Sequence, residues 1–421
     1  MTAPTRQLVL HVHTPTSLLG LATGATAPVV PLAALAHGAS LTLAALVVAA
    51  GGLGVLIADL PAGRLVSQVG EQRSMVIGAV VGLVGAALCV VDASLLTLTA
   101  GVTSLGLAQA VWGLARQSYL TAAVDPARRA RAISAMAGMH RLGFFVGPFA
   151  GAAVLTTASG MVGVFVIQLV AVGVAGVLMS TMADAEIHTR GTPSAPIWAT
   201  ARRHRAPLMR LGPGAFALGS LRATRMVLLP LWAERVGMDA STTALLFGVA
   251  GAVDVVLSYP SGVALDRWGR RGMAILSTAL FGASLLAMPL VHTPTALWFV
   301  ALGMGVGNGL TNGLVMTVGA DISPADARPQ FLSLWRLLHD GGVAGAPVAV
   351  GVIAGVAGLP PAAVAMGVVG LVGAGFFGRN LAPGRFSPDA RPPSHLSVEE
   401  PPAPGILDRC EPSSSESVKP A

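Results

Sequence analysis

Residues 160–181 read GMVGVFVIQLVAVGVAGVLMST, twenty-two positions without a charged side chain. At about 1.5 Å of rise per residue such a helix reaches across the roughly 30 Å hydrocarbon core of a bilayer. Working outward from it, eleven more segments of the same kind appear. The first six of the twelve lie at about 16–36, 41–66, 74–92, 95–122, 132–155 and 160–181. The second six lie at about 211–233, 241–262, 272–291, 295–317, 330–354 and 359–378. The expected organisation is an N-terminal tail (1–15), a six-helix bundle (16–182), a central loop (183–210), a second bundle (211–378) and a disordered tail (379–421) rich in Pro and Ser. The fold class is an all-α integral membrane protein.

The composition of all 421 residues agrees: 53% are apolar, 11% are charged, and mean hydropathy is +0.72. Soluble domains carry about a quarter charged residues, so a water-soluble enzyme is nearly excluded. The +7 net charge has no soluble basic domain to sit on, so no nucleic-acid partner is expected. Only Cys89 and Cys410 occur, which leaves no disulfide framework and no Cys-based metal site. No cofactor is expected. Ala34-Leu35-Ala36 weakly resembles a signal-peptidase site, but the internal repeat below argues that the first segment is retained.

The basic residues divide unevenly among the loops. Arg6, Arg64, Arg73, Arg128, Arg129, Arg131, Arg190, Arg202, Arg203, Arg205, Arg210, Arg267, Arg270, Arg271 and Arg328 fall on the side of the N-terminus, whereas the opposite loops carry only Arg235. By the positive-inside rule both termini are cytoplasmic, in a multi-pass protein of the cytoplasmic membrane. Trp198, Arg202, Arg203, Leu208 and Met209 in the central loop suit either a basic amphipathic stretch on the inner leaflet or a solvated linker.

Comparing the chain with itself shows a duplication. At a constant offset of 199, Gly20, Pro31, Gly38, Gly52, Pro61, Gly63 and Gly70 match Gly219, Pro230, Gly237, Gly251, Pro260, Gly262 and Gly269. The register continues through Gly106, Arg129, His140, Gly143 and Pro148, which match Gly305, Arg328, His339, Gly342 and Pro347. The shift equals six segments, so the halves insert in the same orientation about an axis along the membrane normal.

At the end of the eighth segment stand Gly262, Asp266, Arg267, Gly269, Arg270 and Arg271, which resemble the loop signature of the major facilitator superfamily. Gly143, Gly147, Pro148 and Gly151 in the fifth segment resemble the Gly-Pro signature of its drug/proton-antiporter-like exporters. The resemblance covers about residues 16–378. It implies two six-helix bundles rocking about a site near the midplane, working as a monomer. Gly262 and Gly269 would permit close backbone approach, Asp266 would act at a helix terminus, and the arginines would face headgroups or a helix end. The copy in the first half keeps Gly63 and Gly70 but has Ser67, Glu71 and Gln72 where Asp266, Arg270 and Arg271 stand. The Gly-Pro stretch would allow a bend and close packing against the opposite bundle.

Ionisable residues inside membrane segments are costly and therefore point to a site. Arg141 in the fifth segment lies about 15 Å from its inner end, and its repeat mate Asp340 is equally deep in the eleventh; each follows a histidine, His140 or His339. Arg222 and Arg225 share a face of the seventh segment, Asp254 lies about 12 Å deep in the eighth, and Arg116 is shallower in the fourth. Depth suggests that Arg141 pairs with Asp254 between bundles and Asp340 with Arg222 within one, in a structural or a coupling role. Arg225 and Arg116 then lack acidic partners. Either they give a water-filled cavity surplus positive charge, which favours an anionic substrate, or Arg225 bonds backbone carbonyls or reaches water. Asp254 and Asp340 are the expected proton carriers, with His140 and His339 as alternatives or packing elements. Gln109, Asn308 and Asn312 would supply neutral hydrogen bonds on segments that line the pathway in the family.

The resemblance implies a proton-coupled exporter of a small organic molecule, partnered by the lipid bilayer, substrate and protons. The alternative is uptake or exchange of a small organic anion. A non-transporting sensor or membrane enzyme ranks last, since the nine His are scattered and no output domain or catalytic cluster is legible.

Overall fold

The structure, a computed structural model, describes residues 9–124, 126–182, 197–311, 313–324 and 327–381. The tail beyond Leu381, expected to be disordered, the loop 183–196 and Asn312 lie outside the described residues. Among the described residues all regular structure is helical.

The first half comprises α1 (Thr14–Thr26), α2 (Val29–Ala36), α3 (Leu41–Val69), α4 (Glu71–Val91), α5 (Leu95–Ala123), α6 (Pro126–Leu155) and α7 (Gly160–Ser180). After a short α8 (Ile197–Arg203) come α9 (Arg205–Arg235), α10 (Ala240–Ala287), α11 (Pro294–Leu310), α12 (Leu314–Ile322), α13 (Arg328–Ala357) and α14 (Leu359–Asn380). Helix α10 holds the eighth and ninth segments, which meet at Gly269 with a non-helical φ of 75°. The first segment is broken by Pro28 into α1 and α2, bent by 42°. Among the described residues, nine stretches are long and apolar enough to cross a membrane, or ten with that bent pair as one span. Helices α6 and α9 are the remaining two of the expected segments; charged residues, Arg222 and Arg225 among them, interrupt their apolar character.

The duplication is realised atom by atom. A side chain on Gly20 would strike the carbonyl oxygen of His140, and one on its repeat mate Gly219 would strike that of His339. Gly143 meets the carbonyl of Ser17 as Gly342 meets that of Phe216, and Gly106 meets that of Gly51 as Gly305 meets that of Ala250. All six pairs keep the offset of 199, so glycine sets the same helix crossings twice. The turns repeat too: Gly38 and Gly237 have φ of 77° and 75°, and Gly70 and Gly269 have 87° and 75°. Ser40 accepts from the Leu43 amide at the start of α3, and its mate Asp239 accepts from the Thr242 amide at the start of α10.

We call the end where α1 begins and α7 stops the near end, and the other the far end. At the far end one apolar core runs across both halves, joining Val29, Ala45 and Phe165 to Trp232, Phe247, Val350 and Ala363. At the near end the core divides, one part around Met75, Trp112 and Met179, the other around Leu218, Met273 and Trp335. The two seams between the halves are α3 against α13 and α6 against α10. Their far parts are zipped: Thr42 faces Gly355, and the Ser241 hydroxyl donates to the Ala152 carbonyl at 3.1 Å. The molecule is thus closed at the far end and divided at the near end.

Candidate functional site

A cavity of about 150 Å³ opens where the far seal ends, lined by Arg141, Arg222, Arg225, Met226, Asp254 and Asn308. Helix α6 supplies Arg141 from the first half, and every other lining residue comes from the second. Positions 222, 225 and 226 share one face of α9 because their spacing is three and four. Gly309 lets α11 approach α10 so closely that an added Cβ would lie 3.1 Å from the Asp254 Cα, and this brings the Asn308 amide onto Asp254 Oδ2 as a donor.

Asp254 acts electrostatically on both Arg222 and Arg225. Arg222 Nη2 donates to Thr311 Oγ1 at 2.7 Å, and that hydroxyl donates to the Asn308 carbonyl at 2.6 Å. Arg225 is only 2% exposed; its guanidinium stands 5.8 Å from the centroid of the Phe247 ring, and its Nε has no hydrogen-bond partner. It therefore does not reach bulk water. Three arginines face one aspartate in the cavity, leaving surplus positive charge.

Several expected arrangements are corrected. Asp340 does not neutralise Arg222: it accepts from Arg336 Nε at 3.3 Å and binds His339 Nδ1 at 2.9 Å. The physical reason is that Arg336, four residues earlier, lies on the same face of α13 and reaches Asp340 directly. Arg116 adds no charge to the cavity; it is buried within the first half, donating from Nε to the Trp112 carbonyl and from Nη1 to Thr16 Oγ1. Arg141 and Asp254, matched by depth as an ion pair, both line the cavity. His140, His339 and Gln109 do not line it; Nδ1 of His140 has no partner.

The Gly-Pro stretch packs within its own bundle rather than against the opposite one: Gly143, Gly147 and Gly151 face Ser17, Leu21 and Ala25 of α1. Of that stretch it is Phe149 that crosses the seam, to Gly248. Added side chains at Gly262 or Gly269 would meet open space, so neither serves close approach; Gly269 is required by its positive φ. The side chain of Asp266 lies outside the described residues. Arg270 Nε pairs with Asp321 of α12 at 3.1 Å, and Arg271 Nε donates to the Gly378 carbonyl. The diverged copy makes matching contacts with other chemistry: Glu71 accepts from Ser118, and Gln72 donates to the Ser180 carbonyl.

Sequence reasoning passed over Thr311 and the break in the tenth segment, where α11 stops at Leu310 and Gly313 has φ 79° before α12 resumes. The paired Asn308-Gly309 and Asn312-Gly313 were its signal.

Residues 16–220 and 211–409 each match the Major Facilitator Superfamily. The chain belongs to that superfamily. It is 26% identical over 359 residues to an uncharacterized MFS-type transporter of Mycobacterium tuberculosis, found in strains CDC 1551 / Oshkosh and ATCC 25618 / H37Rv, covering 78% of this chain and 82% of the relative. Among solved structures it resembles a bacterial homologue of the human lysosomal transporter Spinster, in an inward-facing and unoccupied conformation. The TM-score is 0.75 at 13% identity, covering 90% of this chain and 97% of that one. It also resembles a mutant of the nucleoside transporter NupG (TM-score 0.74, 10% identity, 88% and 98% covered). A third is a D-xylose-proton symporter (0.72, 11%, 88% and 96%). At these identities the structures speak for the fold. This superfamily member is a multi-pass membrane transporter, not an enzyme.

Proposed function

We propose that this superfamily member is a secondary transporter of a small organic anion, carried by alternating access through the cavity between α6, α9, α10 and α11. One observation carries it: arginines from both halves converge on a single cavity that holds one aspartate. Burying guanidinium groups without acid partners is costly, and an anionic ligand supplies the missing charge. The cavity, about 150 Å³, is smaller than the roughly 300–1,000 Å³ of drug-sized pockets, which favours a compact substrate.

A proton-coupled exporter is the second reading, favoured by the carboxyl group of Asp254 in the same cavity. The Gly-Pro stretch lends export little support, since Gly342 of the second half makes the equivalent packing contact. The protein would lie in the cytoplasmic membrane as a monomer with twelve crossings, two bundles at 16–182 and 211–378, and both termini cytoplasmic. The near end would then be cytoplasmic and the present conformation inward-facing.

Counterflow in proteoliposomes with a panel of labelled mono- and dicarboxylates, beside neutral and cationic compounds, tests the anion reading. Saturable exchange of an anion supports it, and exchange confined to cations would overturn it. A proton gradient imposed on inverted and right-side-out vesicles reads the direction of coupled flux.

A further inference from the structure

The second seam carries charge that the cavity does not use. Asp59 of α3 is exposed on the first half, and Arg336, His339 and Asp340 lie on α13 of the second half, which packs against α3. Arg336 and Asp340 both act electrostatically on Asp59 across the seam. On its own helix Asp340 is held by His339 and Arg336. Arg336 thus pairs with Asp340 and lies within electrostatic range of Asp59 across the seam.

The location is particular. Following the seam from the far end, Thr42 faces Gly355, Gly351 faces Thr42 and Ala45, and Gly52 lies against Ala344. Two turns beyond Gly52 along α3 comes Asp59, and one turn from Ala344 on α13 comes Asp340. The zipped part of the seam therefore ends where the carboxylates begin. Arg336 is 61% exposed and Asp340 28%, so water reaches the fork from the near end. Asp340 is the repeat mate of Arg141, which marks the corresponding level of the other seam.

We propose that Asp59 and Asp340, with Arg336 between them, form a proton-operated fork that couples proton uptake to closure of the near end. Closing the near end would bring both carboxylates against one arginine, and a second negative charge at that distance is disfavoured. A proton from near-end water forms an O–H bond on one carboxylate, and the resulting carboxyl group donates a hydrogen bond to the other. Opening of the far end exposes the carboxyl to the opposite solution, where the O–H bond breaks and the proton leaves to water. Asp59 and Arg336 are positioning and coupling residues that touch no substrate. The proposal rests on the chain being a coupled transporter. It needs only protons as its ligand, so its failure would leave anion binding at Arg222 and Arg225 intact.

The test uses the full chain in nanodiscs, without substrate, carrying Ser67→Cys and Ser333→Cys for spin labels and Cys410→Ser to remove the tail thiol; Cys89 is buried and stays. Distances between the labels report the near end across a pH series. Acidification should move the population from separated to approached labels. Asp59→Asn should hold the approached population at every pH, Asp59→Glu should restore the response, and Arg336→Gln should shift its midpoint by at least about one pH unit. An Asp59→Asn protein that keeps the wild-type pH response overturns the proposal. So does an Asp254→Asn protein that loses it while Asp59→Asn keeps it. Should Asp59→Asn not fold, the infrared band of protonated carboxyl groups in Asp340→Asn decides: loss of the pH-induced signal supports the fork, and its persistence overturns it.

Discussion

The carbonyl oxygen of His140 occupies the place that a side chain on Gly20 would need, and the same relation recurs 199 residues later between His339 and Gly219. These contacts hold α1 on α6 and α9 on α13, at the depth where the charged residues of both seams begin. A side chain at either glycine has backbone, not a flexible tip, in its way. Gly219→Val should therefore lower stability by about 1–3 kcal/mol through overpacking. Gly262→Ala, which meets open space, should be near neutral. Thermal unfolding of the detergent-purified variants compares them.

Arg225 is sealed under Phe247 while Arg222 is tethered to Thr311, so charge at 225 is the less compensated. Arg225→Gln should reduce anion counterflow by roughly 10–100-fold, the equivalent of losing a hydrogen bond to a charged group. Thr311→Val should cost less, because it frees Arg222 without removing its charge. Equal anion affinity in wild type and Arg225→Gln would sink the role of this residue.

The Asp239 carboxylate caps α10, and its bonds from the Thr242 hydroxyl and amide hold its pKa below the ordinary carboxylate value. A lowered folded-state pKa means the contribution is fully present above the ordinary value and fades as pH falls through the folded one. Asp239→Ala should cost about 1 kcal/mol at neutral pH, as loss of a helix cap does. The advantage of wild type over Asp239→Asn should shrink in acid. Unfolding midpoints across pH follow both differences.

Thr42 and Gly355 touch across the far seam. With Cys410 removed, Thr42→Cys combined with Gly355→Cys should cross-link readily under mild oxidation, trap the far end closed and abolish net transport, with recovery on reduction. Undiminished transport by the cross-linked protein would show that this seam does not open in the cycle.

Much of the fold was legible in the residues. Lipid demands long apolar helices, and the duplication is visible because glycines at helix crossings tolerate no substitute, as Gly20, Gly106 and Gly143 demonstrate. The cavity was legible in part: Arg141, Arg222, Arg225 and Asp254 announce themselves as charges inside apolar segments, and Asn308 stands among them. Their partners were not. Helical depth places a side chain along the membrane normal but leaves its azimuth open, which is why Asp340 could be matched with Arg222 when it faces Arg336. Asp59 was passed over although it lies about as deep in its segment as Asp254 does in its own.

The sequence by itself determined the solvent of this protein, its internal duplication and which residues are too costly to be incidental, because burial of charge and backbone contact constrain residue type wherever the helix lies. Tertiary structure alone decided which charges share a space. That depends on the rotation of each helix about its axis and on the seam that is open. Gly309 against Asp254 sets the first, and the seal from Thr42 to Ala344 sets the second.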